Sequence, residues 1–546
     1  MQEKSSVNRD RKNRDRKDRG NSQERGFGKK GKRRTERGAP AGRFAGGRSQ
    51  NGAGVRKLRG EEARRFVPGS VPGSVPGSGK IRTGGAGEAS GHVVRLDDLF
   101  PLTAVREENF ALLHTALNAV LPLKKAHREE LPRNIITLSR LLTVNRADLR
   151  SPYWAKPALT SAYVHYFLPW NVYRLSRLLA GLQLPEPCDG HFVLDVGSGP
   201  LTMPLALWLA NPAWREKRLQ LVACDCAGHP LHIGRDLLVR LAREEGVEPW
   251  DIHLVQAPIL QALRSCQPML KKGQKPLLVT AANVLNELPF PKRARFEDEE
   301  ESEEDLYYSR FEDVVSSVGY LLRKGPDNAR ALFVEPGTRL GGLTLMRLRG
   351  MILEQGLEVH GPCPHQGPCP LLQEMDFASE TSRIAGKTWC HATFAPQGAP
   401  GWLEALTAET GFARESLSLS WLEVGREQEA PEHAGQAEQG GEKTGQGRSR
   451  SAIEARVISN AFSVPDLGRC RYACSQLGLL LLAGAEDIPD GASLTLDVND
   501  IGAARKDRRS GARILRLVSG SRALADRERT DRRKSDRMPA RNERRR

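Results

Sequence analysis

The residues best suited to chemistry are thiols in a stiffened loop. Cys363-Pro-His-Gln-Gly-Pro-Cys369 is followed by Cys390 in the run Trp389-Cys-His-Ala-Thr-Phe394. Cysteines that serve as small core hydrophobes sit inside apolar periodic runs, and these sit among prolines and glycines. Pro364 and Pro368 lie just inside the pair, so the loop is stiff and both sulfurs can face one point. Zinc knuckles usually separate paired ligands by two to four residues, whereas iron–sulfur clusters accept wider, irregular spacing with four thiolates. A 4Fe–4S cluster is therefore the first expectation, and His365 and His391 keep a mixed zinc site open as the second. The C-x-x-x-C-x-x-C pattern of radical enzymes is absent. Cys188, Cys224, Cys226 and Cys266 read as structural, buried residues.

A second constellation lies upstream. Val193-Leu-Asp-Val-Gly-Ser-Gly-Pro200 is an apolar strand entering a glycine turn, with the apolar run Leu201–Ala210 behind it. Gly197 and Gly199 let backbone approach a ligand, and the following helix offers unsatisfied N–H groups. A nicotinamide turn needs G-x-G-x-x-G, and Thr202 stands at the last position. An S-adenosylmethionine (SAM) site instead wants an acid opening the turn and another ending the next strand for the ribose hydroxyls. Asp195 and Asp225 fill those places, so Asp195, Gly197, Ser198, Gly199 and Asp225 are expected to bind SAM. Leu201 departs from the third glycine that methyltransferase turns often carry. After the fourth strand, Asn283-Val-Leu-Asn-Glu-Leu-Pro289 lacks the Asn/Asp-Pro-Pro-aromatic signature, leaving Asn286 and Glu287 as candidate polar site groups or helix caps. Glu335, ending the fifth strand, is either a site group or a turn anchor through Pro336 and Gly337.

The elements that must position these groups follow from periodicity. Short apolar runs (HFVLDV, LQLVACD, DIHLVQ, KPLLVTAA, ARALFVEP) alternate with helix-length segments, which predicts an α/β, doubly wound parallel sheet over residues 187–424. Residues 93–186 have apolar positions recurring at three and four and read as a helical module. Residues 1–92 are a basic tail ending in three Val-Pro-Gly-Ser copies, and 425–450 a Gly/Gln/Glu-rich linker. Residues 451–520 are a small β-rich region, and 521–546 a second basic tail. Phe296–Asp305, with eight acids in ten residues, is a surface insertion.

The 546 residues carry a formal charge of +17, but residues 1–60 hold a net +14 and 521–546 a net +6, leaving the body at −3. The tails have almost nothing to bury, are expected to be disordered, and favour polyanions, RNA foremost. Nine cysteines are too few for a disulfide framework and fit a reducing compartment. No apolar h-region opens the chain, and Leu477–Ala485 is shorter than the ~20 residues that cross a bilayer. A cytoplasmic protein without a membrane partner is expected.

Taken in order, HFVLDVGSGP, TAANVLNELP, LFVEPGT, CPHQGPCP and WCHATF resemble the methyltransferase-like proteins of the mitochondrial small ribosomal subunit and their bacterial relatives, over roughly residues 95–490. The resemblance implies a class I SAM-dependent methyltransferase (Rossmann-like) fold, association with the small ribosomal subunit or its rRNA during assembly, and a four-cysteine 4Fe–4S cluster. Carried over by position, the ligands are Cys363, Cys369, Cys390 and one cysteine of RCRYACSQLG. Cys474 is favoured because it directly precedes the SQLGLLLL segment, with Cys470 the alternative. A non-catalytic assembly factor using the same fold as an RNA-binding platform is the rival function.

Overall fold

Continuous apolar strands buried on both faces demand helices above and below them, and the chain from His191 to Arg426 meets that demand. The computed structural model describes residues 89–102, 106–143, 153–285, 288, 303–372, 389–426, 452–498 and 504–517. Its strands in chain order begin with β1 (Ala89–Asp97), β2 (His191–Val196), β3 (Gln220–Asp225), β4 (Asp251–Gln256), β5 (Lys275–Ala282) and β6 (Arg330–Pro336). They continue with β7 (Leu357–Gly361), β8 (Ala392–Phe394), β9 (Leu417–Arg426), β10 (Ala452–Val457), β11 (Phe462–Val464) and β12 (Gly468–Ser475), and end with β13 (Gly478–Ala483), β14 (Ser493–Val498) and β15 (Arg513–Leu517).

The first sheet runs β4-β3-β2-β5-β6-β9-β7, with β8 on β9. β2 to β6 are parallel, and β9 enters antiparallel between β6 and β7. This is the class I methyltransferase fold. Strand order reverses between β2 and β5, so the crevice at their carboxyl ends is the switch point where ligands of open α/β sheets bind. Helices Thr202–Ala210 and Gly228–Glu245 cover one face, and Glu107–Val120 and Leu168–Gly181 pack on them, with Phe110, Leu117, Tyr173 and Trp208 in the shared core. Helices Glu303–Lys324 and Arg339–Glu354 cover the other.

The second sheet runs β10-β14-β1-β15-β13-β12-β11, and β10 also pairs with β12. That extra pairing closes six strands into a ring with β11 outside it. The interior is filled by Val93, Ile453, Ala473, Leu482, Leu494 and Leu515, so the barrel is a packed core without a channel. Closure removes the exposed edges that an open sheet would present.

One expectation changes. The helical module does not begin at residue 93: residues 89–97 are a strand of the C-terminal barrel, antiparallel to β14 (His92↔Asp497) and parallel to β15 (Ala89↔Leu515). Gly91 and Val93 are its buried residues, and a glycine among polar residues hides a period of two. The acidic run expected as a surface insertion ends in a helix, Glu303–Lys324, an element its composition did not predict. Residues 286, 287 and 289–302 lie outside the described residues, as do 1–88, 427–451 and 518–546, where the expected tails and linker fall. Among the described residues no helix is long and apolar enough to cross a membrane.

If β1 is a barrel stave, removing residues 1–97 leaves β14 and β15 with unpaired edges. Trypsin should then cut the barrel strands roughly tenfold faster, about 1.4 kcal/mol of local stability, than after removal of residues 1–82. Equal resistance of the two truncated chains would contradict the assignment.

Candidate functional site

The glycine turn lies at the switch point. Gly197 (φ 68°) and Gly199 (φ 51°) occupy the left-handed region. A Cβ on Gly197 would meet Val284, whereas one on Gly199 would meet nothing within 4 Å, so open space lies beside Gly199. Leu201 also takes the left-handed conformation (φ 55°) and is buried, its side chain against Gly234. The position that glycine often holds in methyltransferases thus keeps a glycine-like backbone at a cost of about 1–2 kcal/mol.

The two acids divide the work. Asp195 is buried beneath the turn, where its carboxylate accepts from the Ser198 hydroxyl (2.5 Å) and the Thr280 hydroxyl (2.6 Å), tying β2 to β5. Ser198 is buried too, its N–H donating to the Cys224 carbonyl. Asp225, at the rim, accepts the N–H of Gly199 on Oδ2 (2.9 Å) and that of Ala227 on Oδ1 (2.8 Å). Oδ1 also accepts from the Cys226 thiol (3.6 Å), and Oδ2 retains a second lone pair for a ligand hydroxyl. Asp195 and Ser198 therefore shape the turn from below, while Gly197, Gly199 and Asp225 form its upper surface.

Beyond β5, Asn283 sits at φ 59°, a conformation uncommon for a residue with a side chain. Its Oδ1 accepts from Arg174 (3.1 Å), which also donates to Asn171 and to the Ser418 carbonyl. Glu335 is a turn anchor, but not through Pro336 and Gly337. Its Oε1 accepts the N–H groups of Val284 (3.1 Å) and Leu285 (2.8 Å) across the switch point. Asn286 and Glu287 lie outside the described residues.

The cysteines converge from both sheets. On the methyltransferase side, Arg349 donates to the carbonyls of His365 (2.7 Å) and Gly367 (2.8 Å), and Gln366 bridges both backbone groups of Val359, fixing the loop Cys363–Cys369. Cys390 is seated against helix Arg339–Glu354 by Gly342, where a Cβ would lie 2.5 Å from the Trp389 ring and 2.9 Å from the Cys390 carbonyl. On the barrel side, the ring-closing pair Arg456↔Cys474 brings both residues to the loop, and Arg456 donates to the Pro362 carbonyl (3.2 Å). Burial raises the Cys390 thiol well above its ordinary pKa, and Cys363, Cys474 and Cys369 add to the rise, while Arg349 opposes it. Burial likewise raises Cys363, opposed by Arg349 and Arg456.

Cys470 sits elsewhere, in the field of Arg516, Asp507 and Glu486. Four residues along one strand span about 13 Å, so Cys470 and Cys474 do not share a site. The Nδ1 of His391 lies 3.0 Å from the Trp389 carbonyl, and neither ring nitrogen of His365 has a partner among the described residues. Among the described residues, no three His, Cys, Asp or Glu side chains form a group that could hold a metal ion. Cys224 and Cys266 are buried as expected; Cys188 and Cys226 are exposed, Cys226 because β3 has ended one residue before it. Sequence reasoning missed Thr280, Arg174, Arg349 and Arg456. For Arg349 a signal existed, since its helix neighbours Leu345, Met346, Ile352 and Leu353 are all apolar.

Burial raises the pKa of Asp195 to about 7, although the Ser198 and Thr280 hydroxyls favour the ionised form. A carboxyl raised from about 3.9 in the unfolded chain stabilises the fold fully below that value, and the contribution is lost as pH rises through about 7. Asp195→Asn removes this titration. Its stability relative to the parent should rise by about 1–3 kcal/mol between pH 5 and 8, read by denaturant unfolding. Parallel pH profiles would contradict the assigned shift.

The family model described as mitochondrial small ribosomal subunit Rsm22 matches residues 319–402. Curated protein sequences return no match. Among solved structures, an arsenic(III) S-adenosylmethionine methyltransferase from Chlamydomonas reinhardtii aligns at 14% identity over 52% of this chain and 78% of that one, with a TM-score of 0.20. Fibrillarin of Aeropyrum pernix, solved with natively bound S-adenosyl-L-methionine, aligns at 16% identity over 35% of this chain and 69% of that one, with a TM-score of 0.21. The fold rests on the strand order and not on these likenesses. The chain is methyltransferase-like, and the segment that holds Cys363, Cys369 and Cys390 is similar to the mitochondrial small ribosomal subunit protein Rsm22.

Proposed function

We propose that the protein binds SAM at the Gly197–Gly199 turn and acts on the small ribosomal subunit or its rRNA during assembly, in the cytoplasm. The observation that carries the SAM reading is the turn at the switch point, with open space beside Gly199 and the Asp225 carboxylate at its rim. SAM held there would supply an electrophilic methyl group. Similarity to Rsm22 over residues 319–402 supports the ribosomal role, and the charge of the tails supports contact with rRNA. The rival platform function, without turnover, is favoured by one feature: the Asn283 side chain is already engaged by Arg174.

The proposal extends to a 4Fe–4S cluster held by Cys363, Cys369, Cys390 and Cys474. All four donors are thiols, the group such clusters take, and Arg349 and Arg456 offset thiolate charge in an apolar setting. A cluster there would brace the methyltransferase sheet against the barrel, coupling metal binding to docking.

Calorimetry with SAM should give a heat of binding that Gly199→Leu abolishes and Asp225→Ala weakens by roughly tenfold or more, about 1.4 kcal/mol for a lost hydrogen-bond acceptor. Undiminished heats in both variants would sink the SAM assignment. In anaerobically prepared protein, Cys474→Ser should lose iron and acid-labile sulfide while Cys470→Ser keeps both. Stoichiometric zinc without sulfide would replace the cluster with the zinc alternative.

A further inference from the structure

The helical stretch Pro157–Gly181 is interrupted by one π turn, Tyr163–Phe167. Such turns re-aim side chains and are frequent at functional sites. Here it buries Val164, His165 and Tyr166 and leaves Tyr163 half-buried beside Tyr153 and Trp154. The three half-buried rings form one cluster, with centroids 4.8 Å (Tyr153–Trp154), 4.7 Å (Trp154–Tyr163) and 5.8 Å (Tyr153–Tyr163) apart, the two tyrosines within 20° of parallel and Trp154 tilted by 36° and 55° to them. Three turns further along the same helix, Arg174 reaches Asn283, one residue from the Val284 side chain that packs on Gly197. Arg174 carries a buried Nε–H with no partner among the described residues.

A second guanidinium stands nearby. Arg414, just before β9, lies over the rings of Tyr166 (5.2 Å) and Trp170 (4.8 Å) and donates to the Tyr166 hydroxyl (3.0 Å). Burial and the charge of Arg414 lower the Arg174 pKa to about 10, with Tyr163 and Glu335 acting the other way. Two cations share this region, and Glu335 already spends one carboxylate oxygen on backbone N–H groups.

A cluster of aromatic rings with two guanidiniums in the same region is complementary to a nucleotide, whose base offers a π-face and whose phosphate offers charge. A cationic or purely apolar partner would leave the arginines uncompensated. We infer that Tyr153, Trp154 and Tyr163 stack a base of single-stranded RNA while Arg174 and Arg414 hold its phosphate, presenting the nucleotide to the switch point. The inference rests on the proposed SAM site, because that site gives the nucleotide something to face.

The test uses the full chain and a short oligoribonucleotide containing 2-aminopurine, whose fluorescence is quenched on stacking and is insensitive to phosphate contacts made by the basic tails. The parent protein should quench it. Trp154→Leu should weaken the quenching interaction roughly tenfold. Arg414→Gln, which leaves the rings in place, should weaken it as well and lower the salt slope by about one. Melting temperatures of both variants establish that they fold, and Arg414→Gln alone decides the matter if Trp154→Leu does not. Absence of quenching by the parent, as expected if the rings instead meet a protein, overturns the inference, as does quenching unchanged in Arg414→Gln. SAM calorimetry on the same samples separates the two ideas: SAM heat without quenching removes the nucleotide site alone, and quenching without SAM heat removes the SAM site alone.

Discussion

The segment 362–369 is held from two sides by arginines, Arg349 from a helix of the methyltransferase sheet and Arg456 from the ring-closing strand of the barrel, and beside it Met346, Cys369 and Leu371 pack against Leu479, Leu481 and Ile514, so that this junction seats one sheet on the other. A guanidinium taken from water must recover its hydrogen bonds: Arg349 does so on the carbonyls of His365 and Gly367, and Arg456 on those of Pro362 and Gly491. The same loop carries two of the four gathered thiols, with Cys390 and Cys474 arriving from either side. Burial and the neighbouring sulfurs raise the Cys363 and Cys390 thiols, and Arg349 opposes the rise at both.

The crevice at the switch point is built by the same means, from buried charges whose partners lie on other strands. Asp195 joins β2 to β5 through Thr280, Glu335 joins β6 to the loop after β5, and Arg174 joins the helical module to Asn283 and β9. Each is a polar group placed where an apolar one would fill space more cheaply, and each fixes backbone within a few ångströms of the glycine turn. The turn's geometry therefore depends on the whole sheet being assembled.

Much of this was legible in the chain. The parallel sheet follows from apolar runs at regular spacing, and the turn from Asp195, Gly197 and Gly199, because both are local patterns. β1 was not legible: its partners are some four hundred residues away in sequence, and a register shift between Val93 and Arg95 breaks the period of two between its inward Val93 and Leu96. The roles of Asp195 and Glu335 were visible as acids at strand ends, but whether a carboxylate faces ligand or backbone is settled by neighbours such as Thr280 and Leu285 that no spacing rule connects. Arg349 stands in an apolar helix face, where a buried charge signals a partner without naming it.

The central proposal is that a cluster on the four thiols would join the methyltransferase sheet and the barrel into one unit, beyond the apolar contact of Met346, Cys369 and Leu371 with Leu479, Leu481 and Ile514. Amide hydrogen exchange on anaerobically prepared protein, before and after treatment with a chelator, tests it most directly. Exchange should rise on treatment in β12, β13 and helix Arg339–Glu354 together, with β2, β3 and β5 unchanged. Identical exchange before and after treatment would contradict the account.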